Sequence, residues 1–267
     1  MYKAVVSDLD GTLLNGNHAI DEFTKETVSK VINRGIKFYI ATGRSYSGAK
    51  DIMDKLGLKI PLITSNGARI LDEEGKEIYV NNLEKKYSDS ILDIDYKKNG
   101  KSIVLNVYSG NDWYVTEDRR EFYMKINPKR TFFPEVTTLE KLKTKEFTKI
   151  FFLGEHDELL ELEKEIENIT KGEVNIAFVL EHCLEIFSKE SDKANAARFL
   201  LEKDGLTLED SVAFGDGCND YNLLKEAGKG YVMGNALYRL KEALPENETV
   251  ETNADNGVAK KLVELFL

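Results

Sequence analysis

Five times along this chain a short apolar run breaks off at a polar residue beside a glycine: VVSDLDG at 5–11, IKFYIATGR at 36–44, IPLITSNG at 60–67, SVAFGD at 211–216 and GYVMGN at 230–235. Runs that are apolar on consecutive rather than alternate positions suit strands buried on both faces, as in a parallel sheet covered by helices. Helical patterns separate them. Over 21–34, Asp21 is placed to cap, Val28, Val31 and Ile32 share a face, and Gly35 can end the helix. A second helix is expected over 46–56 before Gly57, and a third in DYNLLKEAG between the last two strands. Strands alternating with helices in this way predict an α/β fold, a doubly wound parallel sheet with helices on both faces. ARILDEEGKEIYV reads as a hairpin turning at Glu74 and Gly75.

The middle of the chain has a different texture. SIVLNVYS and DWYVTE look antiparallel, and TKIFFLG, a charged helix near 156–171 and NIAFVLEHCLEIF follow. This predicts an α+β domain over 83–188 inserted into a core made of 1–82 and 189–267. A chain of 267 residues has room for one large domain carrying a smaller one.

Composition narrows the chemistry. A formal charge of -10 without a basic stripe argues against nucleic acid and anionic membrane as partners. No apolar stretch approaches the roughly 18 residues of a membrane helix, and the first residues resemble no signal peptide, so secretion is not expected. Cys183 and Cys218 have no CxxC spacing, which fits a reducing cytoplasm better than a disulfide framework or a zinc site. His18, His156 and His182 are scattered. Carboxylates are left to carry the chemistry, on a small molecule, and nothing here conflicts with a monomer.

Ligands of an open parallel sheet bind at the carboxyl ends of its strands. Asp8, Thr42, Ser65 with Asn66, and Asp216 with Asp220 stand at those ends. Asp8, Asp10 and Asp216 together would bring three negative charges into a small space, where two carboxylates about 4 Å apart repel by roughly 4 kcal/mol at an effective dielectric of about 20. A Mg²⁺ ion prefers oxygen ligands and supplies two positive charges; Lys193, at the start of a predicted helix, supplies a third. Asp8 is then a candidate nucleophile that takes a phosphoryl group, and Asp10 the acid that protonates the leaving oxygen and later deprotonates water. The Thr42 hydroxyl, the amides of the glycine turn and Lys193 are candidate donors to phosphoryl oxygens, and Asp216 a metal anchor.

DLDGTLL at 8–14, ATGR at 41–44, Lys193 and GDGCND at 215–220 resemble, in order, the four motifs of the haloacid dehalogenase superfamily. The long insert after the second motif resembles the type-IIB cap of its Cof-type sugar-phosphate phosphatases, as do NGA at 66–68, MGNA at 233–236 and NGVAK at 256–260. The resemblance implies Asp8 as nucleophile and Asp10 as acid/base that also binds Mg²⁺ through its backbone carbonyl. It further implies the Leu9 amide, Thr42, Gly43, Lys193 and Asn219 as phosphate ligands, Asp216 as a metal ligand and Asp220 as its support. The chain departs from the pattern at Ala194, where glycine is usual, and at Ser188, where proline is frequent.

The function expected is a Mg²⁺-dependent phosphatase of a small phosphorylated metabolite, a sugar phosphate or phosphorylated cofactor, with the insert closing over the site. A sugar phosphomutase and a non-catalytic phospho-ligand sensor remain as alternatives; a dehalogenase would not need an acid at position 10. Arg44 is expected to pair structurally rather than bind phosphate. Cys218 is expected to be small buried filler, and the aromatics of the insert, Trp113, Tyr114 and Tyr123, to build its core.

Overall fold

The computed structural model describes residues 2–126 and 132–267. The core begins with β1 (Ala4–Ser7), α1 (Glu22–Asn33), β2 (Lys37–Ala41), α2 (Tyr46–Leu56), β3 (Leu62–Thr64), β4 (Arg69–Leu71) and β5 (Glu77–Val80). The inserted segment follows with α3 (Lys85–Leu92), β6 (Val104–Ser109), β7 (Asp112–Val115), α4 (Arg120–Ile126), β8 (Glu135–Val136), α5 (Leu139–Leu142), β9 (Lys149–Leu153), α6 (His156–Thr170), β10 (Val174–Leu180) and β11 (Cys183–Ser188). The core resumes with α7 (Lys193–Lys203), β12 (Ser211–Gly215), α8 (Tyr221–Glu226), β13 (Lys229–Val232), α9 (Tyr238–Ala243), β14 (Glu248–Thr249) and α10 (Gly257–Phe266). Two compact units result, 1–80 with 192–267, and 81–191.

The first unit is an eight-stranded sheet in the order β14-β13-β12-β1-β2-β3-β4-β5, parallel from β14 to β3 and antiparallel from β3 to β5. Strand order runs outward from β1 in one direction through β2 and β3, and from β12 in the other through β13 and β14. Right-handed crossovers therefore put α1 and α2 on one face and α8 and α9 on the other. The sheet is doubly wound, and its reversal point falls between β1 and β12, the strands that end at Asp8 and Asp216. Apolar runs on consecutive positions are explained by burial on both faces: Val5, Val6, Ile40, Ile63, Val212 and Phe214 all lie in one core. Helix ends follow local chemistry. Asp21 accepts from the Thr24 amide at the start of α1, and Gly57, left-handed at φ 68°, ends α2.

The second unit is a six-stranded sheet, β10-β11-β9-β6-β7-β8, antiparallel except between β7 and β8. Its main core takes Ile91 and Leu92 from α3, Leu159, Leu162 and Ile166 from α6, and Leu105, Val107, Ile150, Phe152, Leu184 and Ile186 from the sheet. Tyr114 joins that core, while Trp113 and Tyr123 form a smaller cluster with Phe151 and Cys183. Buried Lys149 and Glu185 pair at 2.5 Å on adjacent strands β9 and β11. No helix among the described residues is long and apolar enough to cross a membrane.

Candidate active site

At the end of β1 the chain enters a tight irregular turn over Leu9–Leu13. Asp8 is extended and 5 % exposed, Leu9 is fully buried, and Gly11 is left-handed at φ 74°. Gly11 is required twice over. A side chain there would be strained by the backbone, and its Cβ would lie 2.3 Å from Asp216 Oδ2. Thr12 closes the turn by donating to Asp216 Oδ1 at 3.0 Å, so residues 204 positions apart meet at the two strand ends.

Lys193 opens α7, whose N-cap Asp192 accepts from the amides of Ala194 and Asn195. Its ammonium is buried and lies 2.6 Å from Asp8 Oδ1 and 2.6 Å from Asp220 Oδ1. The other oxygen of Asp220 accepts from the amides of Asp216 and Gly217, at 3.0 and 2.9 Å. Both oxygens of Asp220 are thus engaged by the protein, which leaves Asp8 and Asp216 as the carboxylates with capacity to spare.

Asp8, Asp216 and Asp220 each offer an oxygen within 4.8 Å of the others. Burial pushes the Asp8 carboxyl well above the usual carboxylate range; Lys193 opposes that shift, and Asp220 and Asp216 add to it. Burial and then Asp220 push Asp216 up to about 6, against the Thr12 hydrogen bond. Burial alone would lower the Lys193 ammonium, but Asp220 and Asp8 outweigh it and raise it. With all three carboxylates ionised, one ammonium leaves two negative charges uncompensated in a small, largely buried space, which is why the carboxyls hold protons more tightly there. An all-oxygen donor set with that excess fits a hard divalent cation.

The trio expected from sequence was Asp8, Asp10 and Asp216; the trio gathered here has Asp220 in place of Asp10. Asp10 is extended within the turn, and its carboxylate accepts from Arg44 Nε at 2.6 Å and Nη2 at 2.5 Å. His18 stands 3.8 Å from the same group. This bidentate clamp, with Arg44 Nη1 on the Gly48 carbonyl, is the structural pairing expected of Arg44, although its partner was not legible.

A second group surrounds the turn after β2. Thr42 is 1 % exposed, and its hydroxyl accepts from the Arg44 amide at 3.1 Å. Asn66, from the turn after β3, lies over Gly43 and accepts from Asn219 Nδ2 at 2.9 Å. Thr12, Arg44 and Asn66 make contacts in the site to which the sequence attached no role in phosphate or metal binding, although Thr12 lies in DLDGTLL, Arg44 in ATGR and Asn66 in NGA. Cys218 corrects an expectation, since it is exposed rather than buried. The short turn Cys218–Asp220 folds the Asp220 carboxylate back onto the preceding amides, and that turns residue 218 outward.

The family description "haloacid dehalogenase-like hydrolase" matches residues 5–262. A Buchnera aphidicola subsp. Baizongia pistaciae protein with a provisional phosphatase name is 37% identical, over 100% of this chain and 99% of its own length. The HMP-PP phosphatase of Yersinia pseudotuberculosis is 31% identical, over 98% of this chain and 94% of its own. Among solved structures, a subclass IIB sugar phosphatase of the superfamily superposes with a TM-score of 0.82 at 22% identity, covering 98% of each chain, a likeness of fold. The profile match and these full-length similarities show one thing in common with the geometry above: the chain belongs to the haloacid dehalogenase-like hydrolases.

Proposed function

We propose that this phosphatase releases phosphate from a small phosphorylated metabolite through an aspartyl-phosphate on Asp8, with Mg²⁺ as its metal. The observation that carries the reading is the buried Asp8 carboxylate held at 2.6 Å by Lys193 beside Asp216. Asp8 would attack phosphorus as the bond to the leaving oxygen breaks, and Asp10, released from the Arg44 clamp and protonated, would give that oxygen its proton. Water would then attack phosphorus, Asp10 would take its proton, and the bond to Asp8 would break to release inorganic phosphate. Lys193, the Thr42 hydroxyl and the amides of Leu9 and Gly43 would hold phosphoryl oxygens with Asn219. Asp8, Asp216 and the Asp10 carbonyl would hold Mg²⁺, with Asp220 fixing Lys193 and the loop that carries Asp216; when bound, the ion offsets the charge of carboxylates and phosphoryl oxygens.

Asp8→Asn is expected to lower phosphate release by about 10,000-fold or more with the fold retained. Asp10→Asn should cost about 100- to 10,000-fold. Phosphate release is measured with Mg²⁺ and after chelation, over sugar phosphates, phosphorylated cofactors and HMP-PP, ranked by kcat/KM because discrimination resides in that ratio. Retention of most activity by Asp8→Asn would overturn the nucleophile; full activity after chelation would overturn the metal.

A further inference from the structure

The turn after β3 holds three successive residues in the left-handed region, Ser65 at φ 50°, Asn66 at φ 56° and Gly67 at φ 96°. Glycine accepts this freely and asparagine with less penalty than most residues, but serine does not, and such conformations persist where the surroundings demand them. Here the demand is visible. The Ser65 amide donates to the Arg44 carbonyl at 2.8 Å and the Asn66 amide to the Thr42 carbonyl at 3.1 Å, which fastens the turn onto the segment after β2. At Gly67 a Cβ would lie 2.3 Å from the Asp192 carbonyl, next to Lys193. The Asn66 side chain, in a residue only 4 % exposed, is thereby set over Gly43, 3.0 Å from where a Cβ would stand, with Asn219 Nδ2 at 3.8 Å from the same point.

Asn66 Oδ1 accepts one hydrogen of Asn219 Nδ2 at 2.9 Å. A carboxamide is planar, so fixing one N–H also fixes the direction of the other. Among the described residues neither carboxamide donates a further hydrogen bond to the protein, so the second N–H of Asn219 has a fixed direction and no protein acceptor. We propose that Asn66 is a positioning residue of the phosphoryl pocket, acting through Asn219 by holding its amide in the donating orientation. This rests on the reading of Asn219 as a phosphoryl ligand.

The test uses the full chain with Mg²⁺, p-nitrophenyl phosphate as substrate and inorganic phosphate as inhibitor. Asn66→Gly removes the carboxamide and keeps the left-handed backbone. Asn219→Ala should raise KM and the inhibition constant of phosphate by about 10- to 150-fold, the size of one hydrogen bond to a charged group. Asn66→Gly should give a similar rise. The double variant should add less than about 2-fold beyond Asn219→Ala alone, because residues acting as one unit are not additive. A merely structural Asn66 would instead multiply the losses or lower Tm without moving either constant, and either result overturns the proposal. An unchanged inhibition constant in Asn219→Ala would overturn the reading of Asn219, and with it this role, whatever Asn66→Gly does.

Discussion

Replacing Lys193 by methionine would leave Asp8 and Asp220 buried with no protein cation between them. Breaking a buried ion pair from one side costs about 3–5 kcal/mol, since the remaining charge keeps its desolvation without its partner. Lys193→Met is therefore expected to lose stability of that order in urea melts at pH 7, and to lose turnover as well. The sign with pH follows from burial. The Asp8 carboxyl, pushed above the usual range, binds a proton in the folded state before the unfolded chain does, so the deficit should shrink as pH is lowered from 7 toward 5. A deficit that is the same at both pH values would show that the Asp8 carboxylate is not what Lys193 neutralises. At this scale the sequence was informative where chemistry and backbone coincide: acids at strand ends beside glycines mark Asp8 and Asp216. It was silent on the partner of Arg44, because that pairing depends on the reversal of the chain at Gly11, and misleading on Cys218, because one turn sends Asp220 inward and its neighbour out.

Helix starts are where local sequence and the site meet most directly. Asp192 caps α7 through the amides of Ala194 and Asn195, and its other oxygen accepts from Asn222 Nδ2 at 2.8 Å, tying α7 to α8. Asp21 caps α1 in the same manner, but α1 carries none of the site's side chains. Replacing either N-cap by alanine is expected to cost about 1 kcal/mol of stability. Only Asp192→Ala should also lower kcat, because Lys193 is the first residue of the helix that frays. Parallel measurement of Tm and kcat in the two variants checks this, and equal kcat losses, or none in Asp192→Ala, would refute the link. Elements of this kind were legible, since strand ends, caps and terminating glycines are written in neighbouring residues. The order of strands was not. Nothing local states that β12 lies beside β1, because that pairing joins segments far apart in the chain, whereas the antiparallel β4–β5 hairpin was written in the turn between its strands.

Each of the two compact units has its own core, and a chain built this way need not unfold in a single step. The buried pair Lys149–Glu185 belongs wholly to the inserted unit, where Glu185 holds the Lys149 ammonium above its ordinary range against the effect of burial. Lys149→Met leaves Glu185 buried and unpaired, at a cost of about 3–5 kcal/mol, while replacing both by apolar residues of similar size should recover most of that loss. The prediction for the whole molecule joins this to the carboxylate cluster of the other unit. In calorimetry, Lys149→Met should lower one transition and leave the second in place, whereas Mg²⁺ should raise the second, since a ligand stabilises only the unit that binds it. The double replacement should return the first transition close to its original temperature. One transition that shifts as a whole with both perturbations would mean that the units unfold as a single cooperative body, and that the division of the chain into two cores does not extend to its energetics.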